Sequence, residues 1–109
     1  MSYWVSFNEN ICKICGRVDE LDSRNMTSNV SSMWTKALGI PLIGLHNKKA
    51  SEYIELLEDA VEDMYNNYEE YLPLNPKNGW GSVKSARDYL EWMLAMARDY
   101  PDSMIEISH

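Results

Sequence analysis

The chain has 109 residues, 45% of them hydrophobic and 25% charged, with 17 acidic and 10 basic side chains and a formal net charge of −7. This is the composition of one globular domain with a sizeable core, and its acidic balance argues against direct nucleic-acid binding, which needs clustered Lys and Arg for phosphate contacts. No apolar run approaches the ~18 residues that span a bilayer, and "MSYWVSFNEN" lacks the basic and apolar segments of a secretory signal, so no membrane and a cytoplasmic setting are expected.

The first predicted element is a strand. "YWVSF" alternates, with Tyr3, Val5 and Phe7 on one side, and is rich in strand formers. "GRVDELD" returns as a second strand, which places Cys12 and Cys15 of "ICKICGR" in or beside the connection. Two cysteines without an export signal fit a reducing compartment, where a lasting disulfide is not expected.

A Cys-x-x-Cys-Gly turn suits zinc, because it aims two thiolates and nearby N–H groups at one point, and glycine permits the positive φ required. A structural zinc needs four ligands, however, and this chain has one such pair. Within one chain the other ligands would be His46 and His109, or a carboxylate. A redox pair wants its first thiol at a helix N-terminus, and these thiols sit between strand-like segments. Unliganded thiols are the favoured reading. Cys12 and Cys15 stay as tentative zinc ligands, and no other cofactor is expected.

Residues 29–38 predict a short helix with Asn29 as N-cap, and Asn25, Thr27 and Asn29 before it suit turn and cap hydrogen bonds. Gly39 and Pro41 end that helix. A second helix is predicted over 48–70, with Ala50, Tyr53, Ile54, Leu57, Val61, Met64, Tyr65 and Tyr68 as its buried stripe. Its other side carries Glu52, Glu55, Glu58, Asp59, Glu62, Asp63, Glu69 and Glu70, and residues 50–71 contain no Lys or Arg. Those eight acids leave 9 acids against 10 bases in the rest of the chain, so the whole negative balance comes from this helix.

Solvated helix faces usually mix signs, since Glu and Lys four apart attract, while like pairs cost about 0.2–0.5 kcal/mol each. Here Glu55 and Asp59, Glu58 and Glu62, and Asp59 and Asp63 are like pairs at that spacing. Plain solvation remains the simplest reading. The alternative is a face that attracts a basic groove.

"LNPKNGWGS" predicts a loop, with Ser82 as N-cap of a third helix over 83–100. Trp80, between two glycines, either plugs the core, the favoured reading, or presents an aromatic anchor to a partner. The third helix is apolar over about 200° of arc at about 100° per residue. It is expected at the centre of the fold, or with Trp92 and Met96 turned to a second copy. "MIEIS" then predicts a last strand, Ile105 and Ile107 inward. The expected fold is a single α+β domain: an N-terminal hairpin and a C-terminal strand in a small antiparallel sheet against three helices.

No phosphate loop and no nucleophile-with-base arrangement is present, and two histidines give acid–base catalysis little to work with, so no enzyme is expected. The segments "NMTSNVSSM" and "NGWGS" and the terminal "IEIS" together resemble an uncharacterised group of small phage and bacterial proteins, over nearly the whole chain. The resemblance implies a phage or prophage origin, hence the cytoplasm of a host bacterium, and brings no activity or catalytic residues. The combined expectation is a non-enzymatic protein-binding module, an inhibitor that docks its acidic helix face onto the basic groove of a host protein of the nucleic-acid-handling or defence class. The partner-binding candidates are Glu52, Glu55, Glu58, Asp59, Glu62, Asp63 and Trp80. A homo-oligomeric accessory protein and a small zinc module are the alternatives.

Overall fold

The computed structural model of the protein describes every residue except Met1, Ile11, Lys13, Asn78 and Trp80. Strand β1 (Ser2–Glu9) pairs antiparallel with β2 (Asp19–Thr27) on one side and with β4 (Met104–Ser108) on the other. A two-residue strand β3 (Lys48–Lys49) pairs with β4, so the sheet runs β2-β1-β4-β3. The α+β fold with its N-terminal hairpin and C-terminal strand is as expected. Strand β3 is an addition, too short to leave an alternating pattern in the sequence. It is held by its flanks, where Asn47 donates to the Ile105 carbonyl and Ala50 to that of Ser103.

The helix-facing side of the sheet follows from register. Val5 lies opposite Ile107 and Phe7 opposite Ile105, and all four are buried. On the other side of β1, Val5 lies opposite Arg24 and Phe7 opposite Asp22. Strand β2 therefore sends charged residues to the helix face, and it runs through Thr27, further than "GRVDELD" suggested. Alternation that turns Tyr3, Val5 and Phe7 inward turns Trp4 outward, where it stays 49% exposed.

Helix α1 (Ser31–Leu38) is shorter than predicted. A 3-10 turn over Ser28–Val30 precedes it, and Thr27 rather than Asn29 is the capping side chain, its Oγ1 accepting from the Asn29 N–H. Gly39 closes α1 in the left-handed conformation, φ +78°, where a Cβ would be strained. Leu42–Leu45 form a 3-10 turn that buries Leu42 and Leu45.

The second predicted helix is divided. Ala50–Tyr53 form a 3-10 turn, α2 runs Ile54–Asn66, α3 is the single turn Tyr68–Tyr71, and Leu72–Leu74 are 3-10. The division falls at Asn67, whose side-chain amide donates to Asp63 Oδ1 at 2.6 Å. Such side-chain bonds compete with the helical ladder, and asparagine is a poor helix former for that reason. Helix α4 (Val83–Asp99) starts as predicted at Ser82. The Ser82 hydroxyl accepts from the Ser85 N–H while Ser85 Oγ accepts from the Ser82 N–H, a reciprocal capping box. Among the described residues no helix is long and apolar enough to cross a membrane.

Helix α4 is the central helix. Trp92 and Met96, which could have faced a second copy, are 7% and 8% exposed within the chain's own core. A row of rings crosses the sheet–helix boundary. Tyr3 meets Trp34 edge-on at 5.4 Å between centroids, Trp34 stacks on Tyr89 at 5.3 Å, Tyr89 meets Trp92 at 5.4 Å, and Trp92 meets Phe7 edge-on at 5.5 Å. Every polar tip within the row's interior is bonded. Trp34 Nε1 donates to the Ala86 carbonyl, Tyr89 Oη to the Arg24 carbonyl, and Trp92 Nε1 to Asp22 Oδ2.

Burial pushes the Tyr89 phenol well above the ordinary tyrosine range, and burial together with the hydrogen bond to Asp63 does the same at Tyr71. Both rings stay protonated in the fold after the unfolded chain, near pH 10, begins to lose those protons. Their contribution is therefore complete below about pH 10 and falls as pH rises beyond it. Denaturation curves from pH 8 to 11 should show a decline above pH 10 that is shallower in Tyr71→Phe and Tyr89→Phe.

Gly81, in the loop before α4, has φ +107°, and a Cβ there would lie 2.6 Å from Val30 Cγ1, a buried β-branched side chain with little freedom to move. Gly79 is also left-handed, φ +76°, but has open space around it. Gly81→Ala should cost about 2–4 kcal/mol and Gly79→Ala about 1 kcal/mol, read as midpoints in thermal melts. Equal melting of the two variants would contradict the packing of Gly81 on Val30.

Candidate functional site

Helix α2 buries Leu57, Ala60, Val61 and Met64 against the core, which turns the opposite arc outward. On that arc Glu55, Asp59 and Glu62 are exposed and fall within about 60° of one another at about 100° per residue, with Glu52 one turn earlier in the 3-10 segment. Among the described residues no cation lies within ion-pairing distance of these four.

The other acids are used differently. Glu58 Oε2 accepts from Arg98 Nη2 of α4 at 2.9 Å, so the basic partner missing from α2 is supplied from the neighbouring helix. Asp63 is half-buried and structural, because Oδ2 accepts from the Tyr71 hydroxyl and Oδ1 from Asn67. It is therefore not the freely solvated acid expected from sequence. Glu69 and Glu70 are exposed on α3, beyond the break at Asn67, and do not continue the α2 stripe. The eight acids thus resolve into a ridge of four, one paired residue, one structural residue and two on a separate turn.

The edge of the ridge toward α4 is aromatic and mixed in charge. Tyr65 was expected in the buried stripe but is 52% exposed, and Tyr68 is exposed as well. The Arg87 guanidinium lies over the Tyr65 ring, 4.0 Å from its centroid, and Arg87 Nε faces Glu91 Oε1 at 3.8 Å. The Glu91 carboxylate beside its hydroxyl raises the Tyr65 phenol above its usual value, with burial adding to the effect. Chain pattern missed this edge because a tyrosine at the margin of an apolar stripe suits either side.

The cysteines lie in the hairpin connection, as expected. Cys12 is half-buried, Cys15 exposed, and both are free thiols. The Cys12 N–H donates to the Arg17 carbonyl at 2.7 Å, and the Gly16 N–H to the Cys12 carbonyl at 2.8 Å, with Gly16 at φ +74°. The Cys15 N–H, then the Cys15 side chain and the Ile14 N–H, bond the Cys12 sulfur and hold its pKa below the ordinary thiol value. Neither thiol stands at a helix N-terminus.

The imidazoles proposed as further ligands are elsewhere. His46 Nδ1 accepts from the Ile107 N–H at 2.9 Å, and His109 stacks on Tyr3, at the end of β1 remote from the hairpin tip. Among the described residues no group of three or more His, Cys, Asp and Glu is placed to hold a metal. Trp80, the remaining partner-binding candidate, lies outside the described residues.

A cleft of about 320 Å³ between β2 and α4 is lined by Arg24, Asn25, Met26, Ser85, Asp88 and Tyr89. Its hydroxyls are already committed, Ser85 to the capping box and Tyr89 to the Arg24 carbonyl.

The two classes of acid separate by mutation. Asp63→Ala leaves the buried Tyr71 hydroxyl without its acceptor and should cost about 1–3 kcal/mol. Glu62→Ala changes an exposed position and should stay within about 0.5 kcal/mol of the parent. Urea denaturation of both variants checks the difference, and a neutral Asp63→Ala would return that residue to the solvated face.

Comparison with protein-family models, with curated proteins and with solved structures finds no match to this chain, and a functional reading therefore rests on the surface chemistry just described.

Proposed function

We propose that the protein is a non-enzymatic protein-binding module, phage-encoded, that docks the acidic outer face of α2 onto a basic groove of a host protein, of the nucleic-acid-handling or defence class. The observation that carries this reading is the contrast between two neighbouring helices. On α4, charges of opposite sign alternate at helical spacing and pair, Lys84 with Asp88 and Arg87 with Glu91. On α2, Glu55, Asp59 and Glu62 stand exposed with like-charged neighbours and no cation of their own among the described residues. A fold that pairs its surface charges on one helix and leaves a repulsive ridge on the next holds a binding feature at a small cost in stability.

The chemistry of such a ridge favours a basic partner. Aligned carboxylates attract Lys- and Arg-lined surfaces from a distance and repel nucleic acid, so they compete for the kind of groove that tracks a phosphate backbone. Exposed Tyr65 and Tyr68 beside the ridge add the aromatic contact area common at interface cores. The phage-encoded part of this reading rests on the resemblance of "NMTSNVSSM", "NGWGS" and "IEIS" to small uncharacterised phage and bacterial proteins.

The test uses the double variant Asp59→Lys, Glu62→Lys. It replaces the like pairs at 55/59 and 58/62 with Glu-to-Lys pairs in the favourable direction and keeps Glu55 in the first turn of α2, where it suits the helix dipole. Stability should hold or rise by about 0.2–0.5 kcal/mol per pair. The partner is isolated from host lysate on the parent protein and then measured against both forms in purified state. Its affinity for the variant should fall at least about tenfold, ~1.4 kcal/mol, and its association with the parent should slow steeply with added salt. A partner that binds both forms equally, with no salt dependence, overturns the reading.

A further inference from the structure

The two edges of the sheet are built differently. Strand β3 is two residues long and both are lysine, the short and charged form that keeps an edge from pairing further. Strand β2 is nine residues long, without lysine or proline, and among the described residues no strand lies on its outer side. Its centre is Ser23. The Ser23 N–H donates to Oδ1 of the preceding Asp22 at 2.9 Å, as an edge amide does when no strand carbonyl lies beyond it. Backbone groups alternate between the two sides of an antiparallel strand. Ser23 and Asn25 therefore serve the free edge, while Asp22, Arg24 and Met26 serve β1.

Charge at this edge is complementary to itself. Asp22 and Arg24 flank Ser23 on the helix-facing side, opposite Phe7 and Val5. A second copy adding antiparallel along β2 places its two-fold axis at an edge-facing residue. With the axis at Asn25, Arg24 meets Met26 of the other copy. With the axis at Ser23, Asp22 of each copy meets Arg24 of the other, and Asp19 and Glu20 lie at opposite ends, away from their counterparts. Opposite charges directly across a strand pair stabilise it, so the Ser23 register is the one selected. Arg24 is exposed and has no ion pair among the described residues. The cleft between β2 and α4, which Arg24, Met26 and Tyr89 line, gives an incoming carboxylate room on that side.

We infer that two copies of this chain pair antiparallel through the outer edges of β2, about a two-fold axis at Ser23, joining two four-stranded sheets into one. The Ser23 N–H passes from Asp22 to the Ser23 carbonyl of the second copy. Asp22 Oδ1, so released, takes Arg24 of that copy, while Oδ2 keeps the Trp92 indole. The bulge at Leu21, where the register against β1 shifts, ends the regular ladder on one side, so the association is weak and depends on concentration. It needs no host component and does not use the α2 ridge, so it stands or falls apart from the docking proposed above.

Sedimentation velocity on the full chain, from ~10 μM to ~1 mM at physiological salt, reads the mass over the range expected of a small interface. The parent should pass from monomer toward dimer. Arg24→Asp changes an exposed position, sets two carboxylates across from each other, and should remain monomeric. Ser23→Pro removes an N–H of the free edge, where proline is tolerated, and should fold and remain monomeric as well. Asp22→Arg should be monomeric alone, with some loss of stability because Trp92 loses its acceptor. Mixed with Arg24→Asp it should form a one-to-one dimer, since opposite charges again meet across the axis. A parent that is still monomeric at ~1 mM, or a dimer that survives either Arg24→Asp or Ser23→Pro, overturns the inference.

Discussion

The row of rings from Tyr3 through Trp34, Tyr89 and Trp92 to Phe7 is the constraint on which the other packing decisions depend. Large rings bury much apolar area, but indole and phenol bring polar groups that cost free energy unless bonded. Here each of those bonds reaches a different element. Trp34 ties α1 to α4 through the Ala86 carbonyl, Tyr89 ties α4 to the β2 backbone, and Trp92 ties α4 to the Asp22 side chain. Satisfying three donors therefore fixes the position of α4 relative to both α1 and the hairpin. Arg24 over the Trp92 ring, 5.2 Å from its centroid, closes the β2 side of the row.

That arrangement explains which parts of the fold are legible in sequence. Strands β1 and β4 and helix α4 are read correctly because each buries a face against the row, and burial enforces a period of two or 3.6. Strand β2 is harder. It is an edge strand whose helix-facing residues Asp22 and Arg24 serve the rim of the aromatic row and interrupt the apolar face that Met26 continues, so no clean alternation appears. The break at Asn67 and the role of Asp63 depend on one another and on Tyr71. No window of sequence carries a contact of that kind, since an aspartate on an amphipathic helix looks the same whether it meets water or a buried hydroxyl. His46 is a further case: its use as an acceptor for the Ile107 N–H depends on β3 bringing the chain alongside β4.

The charges divide along the same lines. Where a charged side chain stands near an element that must be positioned, it is paired: Glu58 with Arg98 across α2 and α4, Lys49 with Asp102 beside the β3–β4 contact. These surface pairs contribute little each, on the order of 0–1 kcal/mol, so they do not hold the fold together. They do show that cations are within reach of α2. Arg98 takes Glu58 and Arg87 takes Glu91, both at the α4 edge, and the ridge of Glu52, Glu55, Asp59 and Glu62 lies beyond them. The uncompensated part of the acidic face is thus the part that neither Arg98 nor Arg87 reaches with an ion pair.

Geometry makes that ridge act as a unit. Side chains three and four apart on a helix are about 5–6 Å from one another, well inside the screening length of about 8 Å at physiological salt. An approaching cationic surface therefore meets the summed field of several carboxylates, and the gain from pairing with it grows with each one. The intramolecular cost does not grow in the same way, because each like pair costs only a few tenths of a kcal/mol in water. The remainder of the chain is close to neutral, 9 acids against 10 bases. The core sets its direction. Leu57, Ala60, Val61 and Met64 are committed inward by contact with the helices packed on the aromatic row, which leaves α2 no rotation that would hide its acids.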